Sequence, residues 1–193
     1  MTFLLRFGGV CGVLSGLFIA LPGVVEAFAG ETTATSLVLG VSPALAVPLL
    51  TALYVSQPRT GFSAVGYAVN LLGLGLFGAA AFALNVVLFP LGQPELPAPT
   101  SIVLAAGALV FVVGTVMFAV GMLRGRVHPR PAVWGYAVAL PVFTFAARLP
   151  DTPLTSALHV VVGVTLVWLA FSAYASATRP ATSSSAAIST SAA

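Results

Sequence analysis

Arg124-Gly125-Arg126-Val127-His128-Pro129-Arg130 places three of the chain's seven basic residues in one short gap between two long apolar runs. The chain has no lysine, so this loop is the densest positive charge it owns. A gap of this kind is what topology selection leaves between two membrane spans. Cytoplasmic loops collect arginine, and prolines such as Pro129 and Pro131 end one helix and start the next. Reading outward from the loop, the sequence offers six apolar runs, at about Leu4 to Ala29, Ser36 to Tyr54, Gly61 to Phe89, Ser101 to Met122, Pro131 to Ala147 and Leu154 to Tyr174.

Composition supports the same reading. Only 6% of the residues are charged and the mean hydropathy is +1.10. A soluble domain carries about 25% charged residues, so this chain cannot cover a water-facing surface and must be solvated by lipid. A bilayer core about 30 Å thick takes roughly 20 apolar residues as helix. A β-barrel would need alternating segments of about ten residues, whereas these runs are continuous. The sequence therefore predicts an all-α, polytopic transmembrane bundle of six spans over residues 1–175. Beyond it, residues 176–193 form a Ser/Thr/Ala-rich stretch expected to be a disordered cytoplasmic tail.

Alternating the spans across the membrane puts Arg6, Arg59, Arg124, Arg126, Arg130 and Arg179 on one side and Arg148 alone on the other. The positive-inside rule then places both termini in the cytoplasm. Glu26, Glu31, Glu95 and Asp151 fall toward the opposite face. The first run also imitates a signal peptide, with Ala27-Phe28-Ala29 before Gly30. Its length exceeds the ~7–15 residues of a signal core, so it is read as a retained anchor.

Glycine spacing points to close helix packing. Gly8, Gly12 and Gly16 recur every four residues, and Gly107, Gly114 and Gly121 every seven, so each set lies along one helical face. Such faces serve contacts within the chain, a homo-oligomer or a partner membrane protein. Pro58-Arg59 before Gly66-Tyr67-Ala68-Val69 is echoed by Pro129-Arg130 before Gly135-Tyr136-Ala137-Val138. That echo fits a duplication of two helical hairpins, but ordinary interfacial composition also produces it.

Several chemistries lack their residues. Cys11 is the single cysteine, so it forms no intrachain disulfide and no cysteine metal cage; it reads as a packing residue. Two histidines at opposite faces do not make a haem site, and one histidine with one acid does not make a zinc site. Ser63 lies far from His159, so no serine–histidine pair forms. Seven scattered arginines do not track a nucleic acid. No cofactor is expected, and His128 reads as a solvated loop residue or a contact to anionic lipid.

The remaining polar residues converge in depth. Glu26, Asn85 and His159 come from three spans and should lie about 5–8 Å below the outer boundary by helix rise, with Arg148 and Asp151 in the loop above. Ionisable groups inside a membrane are costly unless paired or hydrated. The sequence thus marks an outward-facing polar pocket of Glu26, Asn85 and His159, rimmed by Arg148 and Asp151. The simpler alternative is that these side chains only snorkel to the interface. Asn70, deeper in the third span, reads as a hydrogen bond between helices.

Gly121-Met122-Leu123-Arg124 running into Pro129-Arg130 and a further apolar helix resembles the cytoplasmic hairpin of small bacterial polytopic membrane proteins of unknown function. The resemblance implies the six-span layout and residence in a bacterial cytoplasmic membrane. It implies no substrate or catalytic residue. The leading expectation is a non-enzymatic membrane component that meets a partner through its glycine faces. The alternative is a binder or transporter of a small molecule or lipid that uses the outer pocket.

Overall fold

The computed structural model describes residues 1–92, 94–146 and 152–178, and every regular element in them is helical. These are α1 (Thr2–Ala29), α2 (Thr33–Val55), α3 (Gly61–Phe82) with a π-helical extension (Ala83–Leu88), α4 (Ala98–Gly125), α5 (Arg130–Ala146) and α6 (Pro153–Ser176). Five of them are long and apolar enough to cross a membrane; α5, at 17 residues, is the short one. Arg148, Asp151 and the tail beyond residue 178 lie outside the described residues.

The helix starts follow local chemistry. Thr32, Thr60 and Thr152 each cap the helix that follows, accepting a hydrogen bond from the backbone N–H three residues on. The residue there, Thr35, Ser63 or Thr155, returns its hydroxyl oxygen to the cap's own N–H. Each pair satisfies two backbone donors that a helix start leaves open. The α4 helix ends at Arg126, whose φ of 53° is left-handed. Gly125 stands one residue too early to take that conformation, although glycine would adopt it without steric cost.

Short connections make successive helices antiparallel, and each packs on its chain neighbour. The last helix returns to the first, so the six close into a ring, with one further contact across it between α2 and α6. Glycines set the closest approaches. Gly8 meets Pro48 and Ala52 of α2, Gly12 meets Leu49 of α2 and Ala170 of α6, and Gly16 meets the Gly163 carbonyl of α6. On α4, Gly107, Gly114 and Gly121 face Leu76, Asn70 and Ser63 of α3, while Gly73 of α3 faces Phe111 of α4. Both glycine sets are buried inside the ring. Gly8, Gly12 and Gly16 are therefore occupied by α2 and α6 and offer no open face to a partner. That counts against the reading in which these faces serve as outward interaction surfaces.

Large apolar side chains such as Leu72, Val103 and Phe171 point away from the ring, each more than 60% exposed. This inverts a soluble protein's pattern and suits a lipid surround. The described arginines Arg6, Arg59, Arg124, Arg126 and Arg130 all belong to the end of the ring where α1 begins, and all are exposed. Arg124 lies over the Phe62 ring, 4.7 Å from its centroid. Glu26, Glu31 and Glu95 belong to the other end.

Candidate functional site

A cavity of about 690 Å³ occupies the half of the ring away from the described arginines. It draws wall residues from all six helices. Its rim includes Glu26 near the end of α1, Asn85 on the π-helical turn and His159 in α6, so the structure brings these three residues to one space. Glu31 and Ser101 join them. Below the rim the walls are largely apolar and aromatic, and they reach inward to Leu50 and Leu53 of α2 and Tyr136 of α5. Ser15 and Glu26 both line it from α1, about 16 Å apart by the helical rise.

Each rim residue is held by its backbone. Gly23 lets α6 approach so closely that a side chain there would collide with the His159 Cβ, which seats the imidazole beside the last turns of α1. The His159 Nδ1–H donates to the Thr155 carbonyl at 2.8 Å, and the ring meets Phe143 edge-on with centroids 4.8 Å apart. That bond commits one ring nitrogen and leaves Nε2 for other partners. The Asn85 amide N–H donates to the Ala81 carbonyl at 2.8 Å. Gly40 of α2 accommodates Val86 and the Asn85 Cβ, so the π-turn seats against α2. Turns of this type recur at functional sites because the extra residue loosens the backbone ladder and re-aims side chains.

Glu26 stands apart from its neighbours. It is 7% exposed, and its Oε1 is fully buried without a hydrogen-bond partner. A buried carboxylate oxygen with no donor is costly. Glu31, by contrast, accepts a short hydrogen bond from the Ser36 hydroxyl. No group of three or more His, Cys, Asp or Glu side chains comes together among the described residues.

Beneath the cavity the ring is closed in layers. Asn70, wholly buried, donates to the Tyr136 hydroxyl at 2.5 Å and accepts from Thr115 at 3.2 Å, tying α3, α4 and α5 together. Next, Tyr54 stacks on Tyr67 at 4.3 Å, and Phe118 packs between Tyr67 and Tyr136. Thr51 spends its hydroxyl proton on the Val47 carbonyl, so at 3.1 Å it accepts from Tyr67.

The lowest layer is His128. It is 4% exposed and bridges the Ser56 hydroxyl (3.1 Å) at the end of α2 and the Ser172 hydroxyl (2.9 Å) of α6. Ser56 donates to the Leu53 carbonyl, so it accepts from His128 Nε2–H. His128 is thus a buried clamp across the ring rather than a solvated loop residue. Charge in the loop sequence hid this, because the arginines on either side are exposed while the imidazole turns inward. No family model, curated protein or solved structure matches the chain significantly.

Proposed function

We propose that the chain is a six-span protein of a bacterial cytoplasmic membrane, with both termini cytoplasmic, that binds a small amphiphilic molecule in a cavity opening toward the outer face. The observation that carries this reading is the cavity itself. Its volume falls within the ~300–1,000 Å³ of ligand sites, and a few polar groups stand over an apolar floor, as in such sites generally. The glycine faces are consumed inside the ring, which weighs against a purely adhesive role for them.

Transport is the second reading. It is favoured by how far the cavity descends: Tyr136 forms part of its floor and holds Asn70, the deepest polar group of the third span. Passage would require the layers at Asn70, Tyr67 and His128 to part.

The binding reading is tested by titrating dodecanol into the purified chain in nanodiscs and following thermal unfolding, with Ala108→Trp as the blocked control. Ala108 is a small, partly buried wall residue of α4. Dodecanol should raise the unfolding temperature of the native chain, since a ligand that binds only the folded state stabilises it. Ala108→Trp should fold and lose most of that shift. Equal shifts in both proteins would contradict binding in the cavity.

A further inference from the structure

The hydrogen-bonding groups around the cavity are sorted by sign. Ser15 donates its hydroxyl proton to the Ser42 carbonyl and Ser42 donates to that of Leu39. Thr144 donates to the Leu140 carbonyl and Thr155 to that of Thr152. One Asn85 amide N–H and the His159 Nδ1–H are likewise spent on helix carbonyls. A carbonyl only accepts, so in each pair the direction is fixed by chemistry. What the rim keeps unspent is chiefly acceptor capacity, the Glu26 carboxyl with its undonated, buried Oε1 and Asn85 Oδ1, beside one Asn85 N–H and the His159 Nε2. Ser101 at the rim has its hydroxyl uncommitted. Among the described residues no arginine lines the space, while two carboxylates do.

From this arrangement we infer that the ligand is an alkylammonium amphiphile, whose N–H-bearing cationic head binds Glu26 at the rim and whose apolar tail descends toward Tyr136. The inference rests on the binding reading above and names its ligand class. A positively charged donor supplies what the Glu26 carboxyl lacks, a charge-assisted hydrogen bond, made when the side chain turns its undonated oxygen into the cavity. A carboxylate or phosphate head would instead bring negative charge to a space that, among the described residues, is lined by the Glu26 and Glu31 carboxyls and by no arginine. The tail has room: the distance of about 16 Å between Glu26 and Ser15 along α1 suits a chain of roughly a dozen carbons.

The test compares four probes of one chain length, dodecylamine, dodecyltrimethylammonium, dodecanol and dodecanoate, against the native chain and Glu26→Gln in the same nanodiscs. Partition into the lipid is common to both proteins and cancels in the comparison. The native chain should bind dodecylamine about tenfold more tightly than dodecanol, with dodecanoate weakest. The quaternary ammonium, which carries charge without an N–H, should fall between the amine and the alcohol. Glu26→Gln should keep dodecanol binding and lose the preference for the amine. Asn85→Asp, which adds a carboxylate to the same rim, should strengthen that preference and serves if Glu26→Gln fails to fold.

Equal affinity for amine and alcohol, or an amine preference that survives Glu26→Gln, would overturn the ammonium assignment and leave the binding reading standing. Tighter dodecanoate would do the same. Failure of all four probes to bind would overturn both.

Discussion

Glu26 carries the sharpest conflict between stability and position in this molecule. Its buried oxygen has no donor, so replacing the carboxyl by the neutral amide of Glu26→Gln should stabilise the empty protein, by about 1–2 kcal/mol. Thermal unfolding without added amphiphile checks this; a clear loss of stability would mean that the carboxyl has a structural partner. His128 predicts the opposite sign. His128→Ala takes the shared imidazole away from the Ser56 and Ser172 hydroxyls and leaves a void between α2 and α6, at a cost of about 2–4 kcal/mol. The same measurement decides it, and a change near zero would show that the clamp is not needed. Both residues were visible in the sequence, but in different degrees. Helix rise alone places Glu26 near His159 and Asn85, because depth in a membrane follows from counting. The burial of His128 depends on which way one loop turns, and no periodicity encodes that.

Glycine placement acts at the scale of helix pairs. A side chain at Gly114 would overlap the Asn70 backbone, and one at Gly73 would overlap that of Phe111. Gly114→Val should therefore push α3 and α4 apart and disturb the Asn70–Tyr136–Thr115 cluster, at a cost of about 3 kcal/mol or more. Gly75, on the same helix as Gly73, meets nothing within 4 Å, so Gly75→Ala should be neutral or slightly stabilising, within about 1 kcal/mol. Unfolding of the two variants in detergent separates them, and equal effects would contradict the packing described. The seven-residue spacing of Gly107, Gly114 and Gly121 correctly marks one face of α4. Sequence could not say that α3 fills that face, or that Gly8, Gly12 and Gly16 are shared between α2 and α6. Spacing shows that a face is smooth; only the fold shows what lies on it. The π-turn at Ala83–Leu88 was likewise illegible, since the third apolar run continues through it without a break.

At the scale of the whole molecule, the ring explains why charge and cavity separate. Antiparallel helices joined by short connections send every second loop to the same end, so the described arginines gather there and the cavity rim forms at the other. Orientation then decides which side of the membrane the ligand comes from. A cysteine placed at Glu95 should react with a membrane-impermeant maleimide added outside intact cells, and one placed at Arg126 should react only after lysis. Cys11 is buried and adds little background. The reverse labelling would place the cavity on the cytoplasmic side. The six apolar runs and their order were legible from hydropathy alone, because lipid imposes a length on each helix. Closure of the last helix onto the first was not, because hydropathy carries no information about neighbours.

The claim that an amphiphile occupies the cavity is tested most directly by photolabelling. The chain in nanodiscs is irradiated with a diazirine-bearing dodecanol and the adducts are mapped by peptide mass spectrometry. Adducts on Phe111, Tyr136 and Leu166 are predicted, at most 5% exposed on the molecular surface but lining the cavity. Excess unlabelled dodecanol should remove them. Adducts confined to Leu72, Val103 and Phe171 on the outer face, and unaffected by competitor, would contradict it.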